Sequence, residues 1–270
     1  MNEARIIVFC GGGNMAAAMM RGLIASGHAP ALLRVAEPDA DKRQDLQDRL
    51  GVIGLARNLD AVQGADVAVL AVKPGVVPAV LEEIAPGLTP STLVLSIAAG
   101  VTLATLKQRL PPGQPALRAM PNTPALIGEG ITVLHIPPGT PPEQTEAALR
   151  VLKSCGGVET LADEGLLDAV TALSGSGPAY VYLIAEALSD GGVACGLPRP
   201  LADRLALRTL IGSARLVETS GLHPGALKVQ VTSPGGTTIA GLGVMEKAGV
   251  RGTLMETVQA AWRRSKELGQ

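Results

Sequence analysis

Aromatic side chains are nearly missing from this chain: one phenylalanine, two tyrosines and one tryptophan stand among 270 residues. Phe9, Tyr180, Tyr182 and Trp262 are too few to build a core, so alanine, valine, leucine, isoleucine and methionine must do it within a hydrophobic content of 47%. Cysteine is scarce too. Cys10, Cys155 and Cys195 lie far apart without metal-ligand spacing. An odd, sparse set points to reduced thiols in a cytoplasmic protein and to no metal site or disulfide framework. A net charge of −1 gives no footprint for nucleic acid or for an anionic membrane surface. No apolar run approaches the roughly twenty residues that span a bilayer, and no cleavable signal pattern opens the chain. The length suffices for two compact domains with buried cores.

What is present begins with a strand, a glycine turn and a helix. Ile6 to Phe9 leads into Cys10-Gly11-Gly12-Gly13-Asn14-Met15-Ala16 and an Ala- and Met-rich stretch to Ile24. Gly11, Gly13 and Ala16 stand in the G-x-G-x-x-G/A register: one glycine for the tight turn, one so that backbone N–H groups reach a pyrophosphate, and a small residue so that helix and strand pack closely. A second strand, Leu32 to Ala36, ends in Glu37. An acidic residue roughly twenty positions or more after the glycines meets a ribose 2′-hydroxyl. A merely tight strand-to-helix turn would need no such partner.

The first half continues to alternate. Asp39 to Leu50 reads as a charged amphipathic helix, Val52 to Ala56 as a short strand, and Ala65 to Val72 as an almost continuous apolar run bounded by Lys73-Pro74-Gly75. Thr92 to Ser96 and, more weakly, Ala116 to Ala119 repeat the pattern. Apolar runs with both faces covered are buried parallel strands, and their alternation with helices predicts an α/β, doubly wound, mostly parallel Rossmann sheet with right-handed crossovers. Ligands in that architecture sit at the carboxyl ends of strands. Those ends carry Ala71-Val72-Lys73-Pro74, Ser96-Ile97-Ala98-Ala99-Gly100 and Met120-Pro121-Asn122-Thr123-Pro124.

From about Asp163 the texture turns helical: Leu166 to Leu173, Pro178 to Ala194, Pro198 to Ser220, Pro224 to Val231, and Thr238 to the end. Residues 1–162 are therefore expected to be the dinucleotide-binding domain and 163–270 an all-α domain. Glycine and alanine on so many helix faces permit close approach, which suits an intertwined dimer and also a tightly packed monomer. Between the fourth and fifth of these segments lies Val231-Thr232-Ser233-Pro234-Gly235-Gly236-Thr237-Thr238. A helix N-terminus carries free N–H groups and about half a positive charge, and glycines let a ligand come close, so this turn can hold a small carboxylate. The same residues would also serve as a plain cap after a tight turn.

Taken together, Gly11-x-Gly13-Asn14-Met15-Ala16, Ala71 to Pro74, Ser96 to Thr102, Arg118 to Pro124, Ser174-Gly175-Ser176-Gly177-Pro178-Ala179-Tyr180 and Thr232 to Thr238 resemble pyrroline-5-carboxylate reductase, in order over essentially the whole chain. The last two motifs are the specific ones. The resemblance implies the last step of proline biosynthesis, in which NADPH or NADH reduces the C=N bond of 1-pyrroline-5-carboxylate to L-proline. It implies a Rossmann domain followed by a helical domain that makes a homodimer, and rings of dimers beyond that. By motif matching the substrate residues are Glu164, Gly236, Thr237 and Thr238, with the turn coming from the partner subunit. The cofactor residues are Gly11, Gly13, Asn14, Met15, Ala16, Asn58, Ala71, Val72, Lys73, Pro74, Ile97 and Ala99, to which the strand-end reading adds Glu37.

An imine is already a good hydride acceptor, so such an enzyme needs positioning more than a strong base. Thr238 is the candidate catalytic residue, for orientation first and proton donation second. His28 and His135 read as surface or cap residues. His223, which opens a helix, reads equally as a cap or as a neighbour of the site. Lys73 either lines the cleft through its backbone or acts as an ammonium. Glu37 stands where NADP-using relatives place a small or hydroxylated residue, although Lys42 and Arg43 can offset its charge toward a 2′-phosphate. Two rival readings are a 3-hydroxyacid or 6-phosphogluconate type dehydrogenase, whose catalytic lysine is absent from Pro178 to Ala194, and a dinucleotide sensor without chemistry.

Overall fold

A computed structural model of the chain describes residues 5–269. Strand β1 (Ile7–Cys10) passes through the glycine turn into α1 (Asn14–Ala25), followed by β2 (Leu33–Ala36), α2 (Ala40–Leu50), β3 (Ile53–Leu55), α3 (Asn58–Val62), β4 (Val67–Leu70), α4 (Val77–Ile84), β5 (Leu93–Ser96), α5 (Leu103–Lys107) and β6 (Ala116–Met120). These six strands are parallel in the order β3-β2-β1-β4-β5-β6, so the strand order reverses direction beside β1. This is the doubly wound arrangement that the alternating pattern predicts.

The apolar runs are continuous because both faces of the sheet are covered. Ile7, Phe9, Val69 and Leu95 pack against Met19, Met20 and Leu23 of α1 on one face. Val8, Cys10, Ala68 and Leu70 meet Val77, Leu81 and Ile84 of α4 and Leu106 of α5 on the other. Phe9, fully buried, is the one aromatic in these clusters, so small side chains bring backbones together instead. At Gly22 a Cβ would lie 1.8 Å from the carbonyl oxygen of Ser154. Gly22→Ala must separate α1 from that segment, at about 3 kcal/mol. We expect its Tm to fall by roughly 5 °C or more, measured by circular dichroism; an unchanged Tm would show that the two segments yield freely.

Two strands escaped the sequence reading. β7 (Gly130–His135) runs antiparallel to β6, and after α6 (Pro142–Leu152) β8 (Gly156–Leu161) runs parallel to β7 at the sheet edge. Each opens on glycine, and β8 alternates half-buried with exposed residues, so neither shows the apolar run of a doubly covered strand. The structure also corrects His135, read as a surface or cap residue: it ends β7 and is 4% exposed, with Nδ1 3.3 Å from the Leu161 carbonyl oxygen.

The remaining elements are α7 (Leu167–Val170), α8 (Gly177–Ala194), α9 (Arg199–Ser220), α10 (Pro224–Gln230), α11 (Thr237–Lys247) and α12 (Val250–Leu268). The final helical segment is thus two helices, because Gly249 takes φ +68° and ends the first. Compactness divides the chain elsewhere than the change of texture at residue 162. One unit runs to Ser176 and takes in the chain again from Ala261; the other is Gly177–Ala260. In the first unit Glu164 to Gly175 lie against the sheet, and Ser265 Oγ donates to Asp168 at 2.6 Å. In the second, Gly192 of α8 approaches Ala202 of α9 closely, while Val181, Tyr182 and Leu183 are each at least half exposed. An apolar helical surface of that kind calls for a partner. No helix among the described residues is long and apolar enough to cross a membrane.

Candidate active site

The parallel register brings the unusual sequences to one rim. Cys10 pairs with Leu70 and Leu70 with Ser96, so the segments beginning at Gly11, Ala71 and Ile97 leave the sheet side by side. Ser96 pairs with Arg118, which adds the segment after Met120. Gly11 has φ +101°, and a Cβ there would lie 2.8 Å from both the Ala71 carbonyl oxygen and Val72 Cγ1. Gly12 has no room either: its Cβ would meet Leu46 at 2.7 Å. Gly13 caps α1 without a side-chain hydrogen bond, and no acidic residue lies in the first turn. The start of α1 therefore offers free N–H groups to an anion, with Asn14, Met15 and Ala16 forming that turn.

Glu37 lies directly against this loop. Its Oε2 accepts the Gly12 N–H at 3.1 Å and its Oε1 accepts the Asp39 N–H at 3.1 Å, which fixes the carboxylate beside the glycines. Arg43 does not turn to the cleft: Nη1 donates to the Glu37 and Pro38 carbonyls. A cleft of about 790 Å³ opens here, bordered by Gly12, Gly13, Asn14, Glu37, Lys42 and Leu126 among others. Asn58 is tied down, donating to Glu83 Oε2 at 2.8 Å. Burial pushes the Glu83 carboxyl up, but the hydrogen bonds from Asn58 and Leu59, with Arg57 nearby, outweigh it and hold it below the ordinary range. Burial, with Glu83 beside it, drives the Cys10 thiol up to about 12, so it stays a neutral core group. Lys73 is exposed, and its carbonyl accepts the Val76 N–H.

Glu164 belongs to the same unit, at the far side of β5. Its Oε1 accepts both Arg118 Nη1 at 2.7 Å and the Leu103 N–H at 2.6 Å. Arg118, which the sequence offers only as part of a weak strand and of the motif running to Pro124, was given no role there; its side chain is 9% exposed. The Ser174-Gly175-Ser176 motif forms a π-turn in which the Ser176 N–H reaches the Thr171 carbonyl, and a Cβ at Gly175 would press on the end of Met120. Such turns are frequent at functional sites.

The Pro-Gly-Gly turn is in the helical unit. Gly235 has φ +69°, Gly236 caps α11 without a side-chain bond, and Thr237 and Thr238 open the helix with no acid in its first turn. The glycine turn read from the sequence therefore does lead into a helix start that no side chain caps. His223 caps α10, its Nδ1 accepting the Gly225 N–H at 3.1 Å.

Residues 164–268 match the family described as pyrroline-5-carboxylate reductase dimerisation. A pyrroline-5-carboxylate reductase of Synechocystis is 46% identical over 96% of this chain and 97% of its own length. The chain belongs to the pyrroline-5-carboxylate reductase family. A reductase structure of this family from Coxiella burnetii superposes with a TM-score of 0.92 at 36% identity, covering 99% of this chain and all of that one. A Plasmodium falciparum pyrroline carboxylate reductase with NADP bound gives 0.88 at 32% identity, covering 98% of each chain. Residues 6–100 match a second family, described as NADP oxidoreductase, coenzyme F420-dependent. The dimerisation match covers the helices whose apolar faces are exposed in the single chain, and it supports a homo-oligomer.

Proposed function

We propose that this protein reduces 1-pyrroline-5-carboxylate to L-proline with NAD(P)H, the last step of proline biosynthesis, in the cytoplasm. The observation that carries the reading is the whole-chain membership in the reductase family, with both the glycine loop and the Ser-Pro-Gly-Gly-Thr-Thr turn intact. The residues fit a dinucleotide. Gly11 and Gly12 let the loop pack tightly against Ala71 and Leu46, Gly13 leaves open space before α1, and the uncapped start of α1 would suit a pyrophosphate. Gly11, Gly13, Asn14, Met15 and Ala16 would hold the pyrophosphate and Glu37 the adenosine ribose, while Asn58, Ala71 to Pro74, Ile97 and Ala99 would complete the cofactor site. The cofactor supplies the hydride.

The chain's own groups position the imine. In this reading the N–H groups of Gly236, Thr237 and Thr238 that take the substrate carboxylate come from a second copy of the chain, whose Thr238 hydroxyl hydrogen-bonds the ring nitrogen, while Glu164 contacts the ring side. The subunits form a homodimer, and dimers close into a larger ring. The test is oxidation of NADPH and of NADH with this imine: turnover with formation of proline is expected, and purified protein that oxidises neither cofactor overturns the reading.

Glu37 sets the cofactor preference in this reading. Its carboxylate, held by Gly12 and Asp39, accepts hydrogen bonds from a ribose 2′-hydroxyl but repels a 2′-phosphate. Arg43, engaged with two carbonyls, does not relieve the repulsion. In Glu37→Ser the ratio of kcat/KM for NADPH over NADH should rise at least severalfold; a constant ratio would free Glu37 of that role.

A further inference from the structure

A row of side chains crosses the sheet in register: Cys10, Leu70, Ser96, Arg118 and His135, on strands β1, β4, β5, β6 and β7. Register partners share one face of a sheet, here the face whose centre is lined by Leu70 and Cys10 and covered by α4 and α5. The row turns polar at Ser96 and charged at Arg118. A guanidinium cannot shed its proton, so burial obliges it to find an anion. Its neighbours in the row do not supply one. Ser96 Oγ accepts the Ala98 N–H, and His135 Nδ1 lies against the Leu161 carbonyl oxygen. Glu164 does, at 2.7 Å.

Stability alone gives a poor account of this pair. A buried ion pair is commonly matched or bettered by apolar side chains of the same volume, and the rest of this face is apolar. The geometry of the carboxylate is more telling. Arg118 Nη1 and the Leu103 N–H both bond Oε1, the second being the first amide of α5, which lacks a partner within its own helix. Two donors on one oxygen fix the plane of the group and leave Oε2 with neither. The Glu164 side chain remains 28% exposed, so a ligand can reach it, whereas Arg118 at 9% is shielded.

We propose that Arg118 is a positioning residue of the reductase: together with the Leu103 amide it pins Oε1 of Glu164, so that Oε2 is presented to the imine in one orientation. The inference rests on the reading of Glu164 as a substrate residue. Arg118 itself touches no substrate in this scheme and acts through Glu164.

The test is a double-mutant cycle on the full-length oligomer: Arg118→Gln, Glu164→Gln and the pair, with KM for 1-pyrroline-5-carboxylate, Kd for NADPH by fluorescence, and Tm. Arg118→Gln should raise KM for the imine roughly tenfold or more while leaving Kd for NADPH unchanged. In the Glu164→Gln background the same change should add little. Arg118→Lys, which keeps the charge but not the planar fork, should recover part of the loss. A lowered Tm with an unchanged imine KM would assign Arg118 to folding alone and overturn the proposal, as would additive effects in the double variant. If Arg118→Gln does not fold, Arg118→Lys decides: a severalfold rise in imine KM is expected, and a wild-type KM overturns it. Glu164→Gln with a wild-type imine KM removes Glu164 from the site and this inference with it. Wild-type protein without imine turnover removes the proposed function itself.

Discussion

Thr238→Ala is expected to lower kcat/KM for the imine by roughly ten- to a thousandfold while cofactor binding and Tm stay near wild type. Thr238 is the second residue of α11, and the first turn of that helix contains no acid and no side-chain cap. Thr238 is half-buried. One positioned hydrogen bond to developing charge is typically worth a few kcal/mol in a transition state. The turn ahead of the helix is closed by backbone, the Gly236 N–H donating to the Ser233 carbonyl oxygen. A Thr238→Ser variant keeps the donor and should retain most of the activity. Unchanged kinetics in the alanine variant would remove Thr238 from the mechanism and leave the backbone N–H groups to do the positioning.

Gly11→Ala should weaken NADPH binding by roughly a hundredfold or more, the second large effect. Two independent costs fall on one methyl group. The backbone at Gly11 has φ +101°, which L side chains rarely adopt. The new Cβ would also lie 2.8 Å from the Ala71 carbonyl oxygen, a backbone atom held in place because the Ala71 N–H donates to the Cys10 carbonyl. The loop must shift away from β4, and the N–H groups at the start of α1 shift with it. Fluorescence titration with NADPH measures the loss, and circular dichroism separates it from unfolding. Retained affinity in a folded variant would show that the loop adapts without disturbing the pyrophosphate site.

Much of the architecture was legible because the physics that shapes it is local. Val67 to Leu70 reads as a buried strand since a doubly covered strand has no polar face. Gly11 to Ala16 reads as a phosphate turn since only certain residues fit its backbone. The edge strands were not legible. Gly156 to Leu161 joins the sheet through register with β7, and that pairing leaves little trace in a strand exposed on alternate residues. Arg118 was hidden for a similar reason: its pattern is that of a surface residue, and only the approach of Glu164, 46 positions later, makes burial tolerable.

The sequence by itself determined the strand-and-helix alternation, the glycine loop, the acidic end of β2 and the glycine-capped start of α11, all consequences of contacts within a few residues. The tertiary structure alone decided which strand ends stand side by side, that Glu37 is clamped by Gly12, that His135 is buried, and that a carboxylate on the segment after β8 neutralises an arginine of β6. Those facts depend on pairing between residues far apart in the chain, where burial rather than local conformation sets the energy, and burial has no local signature when the residue buried is charged.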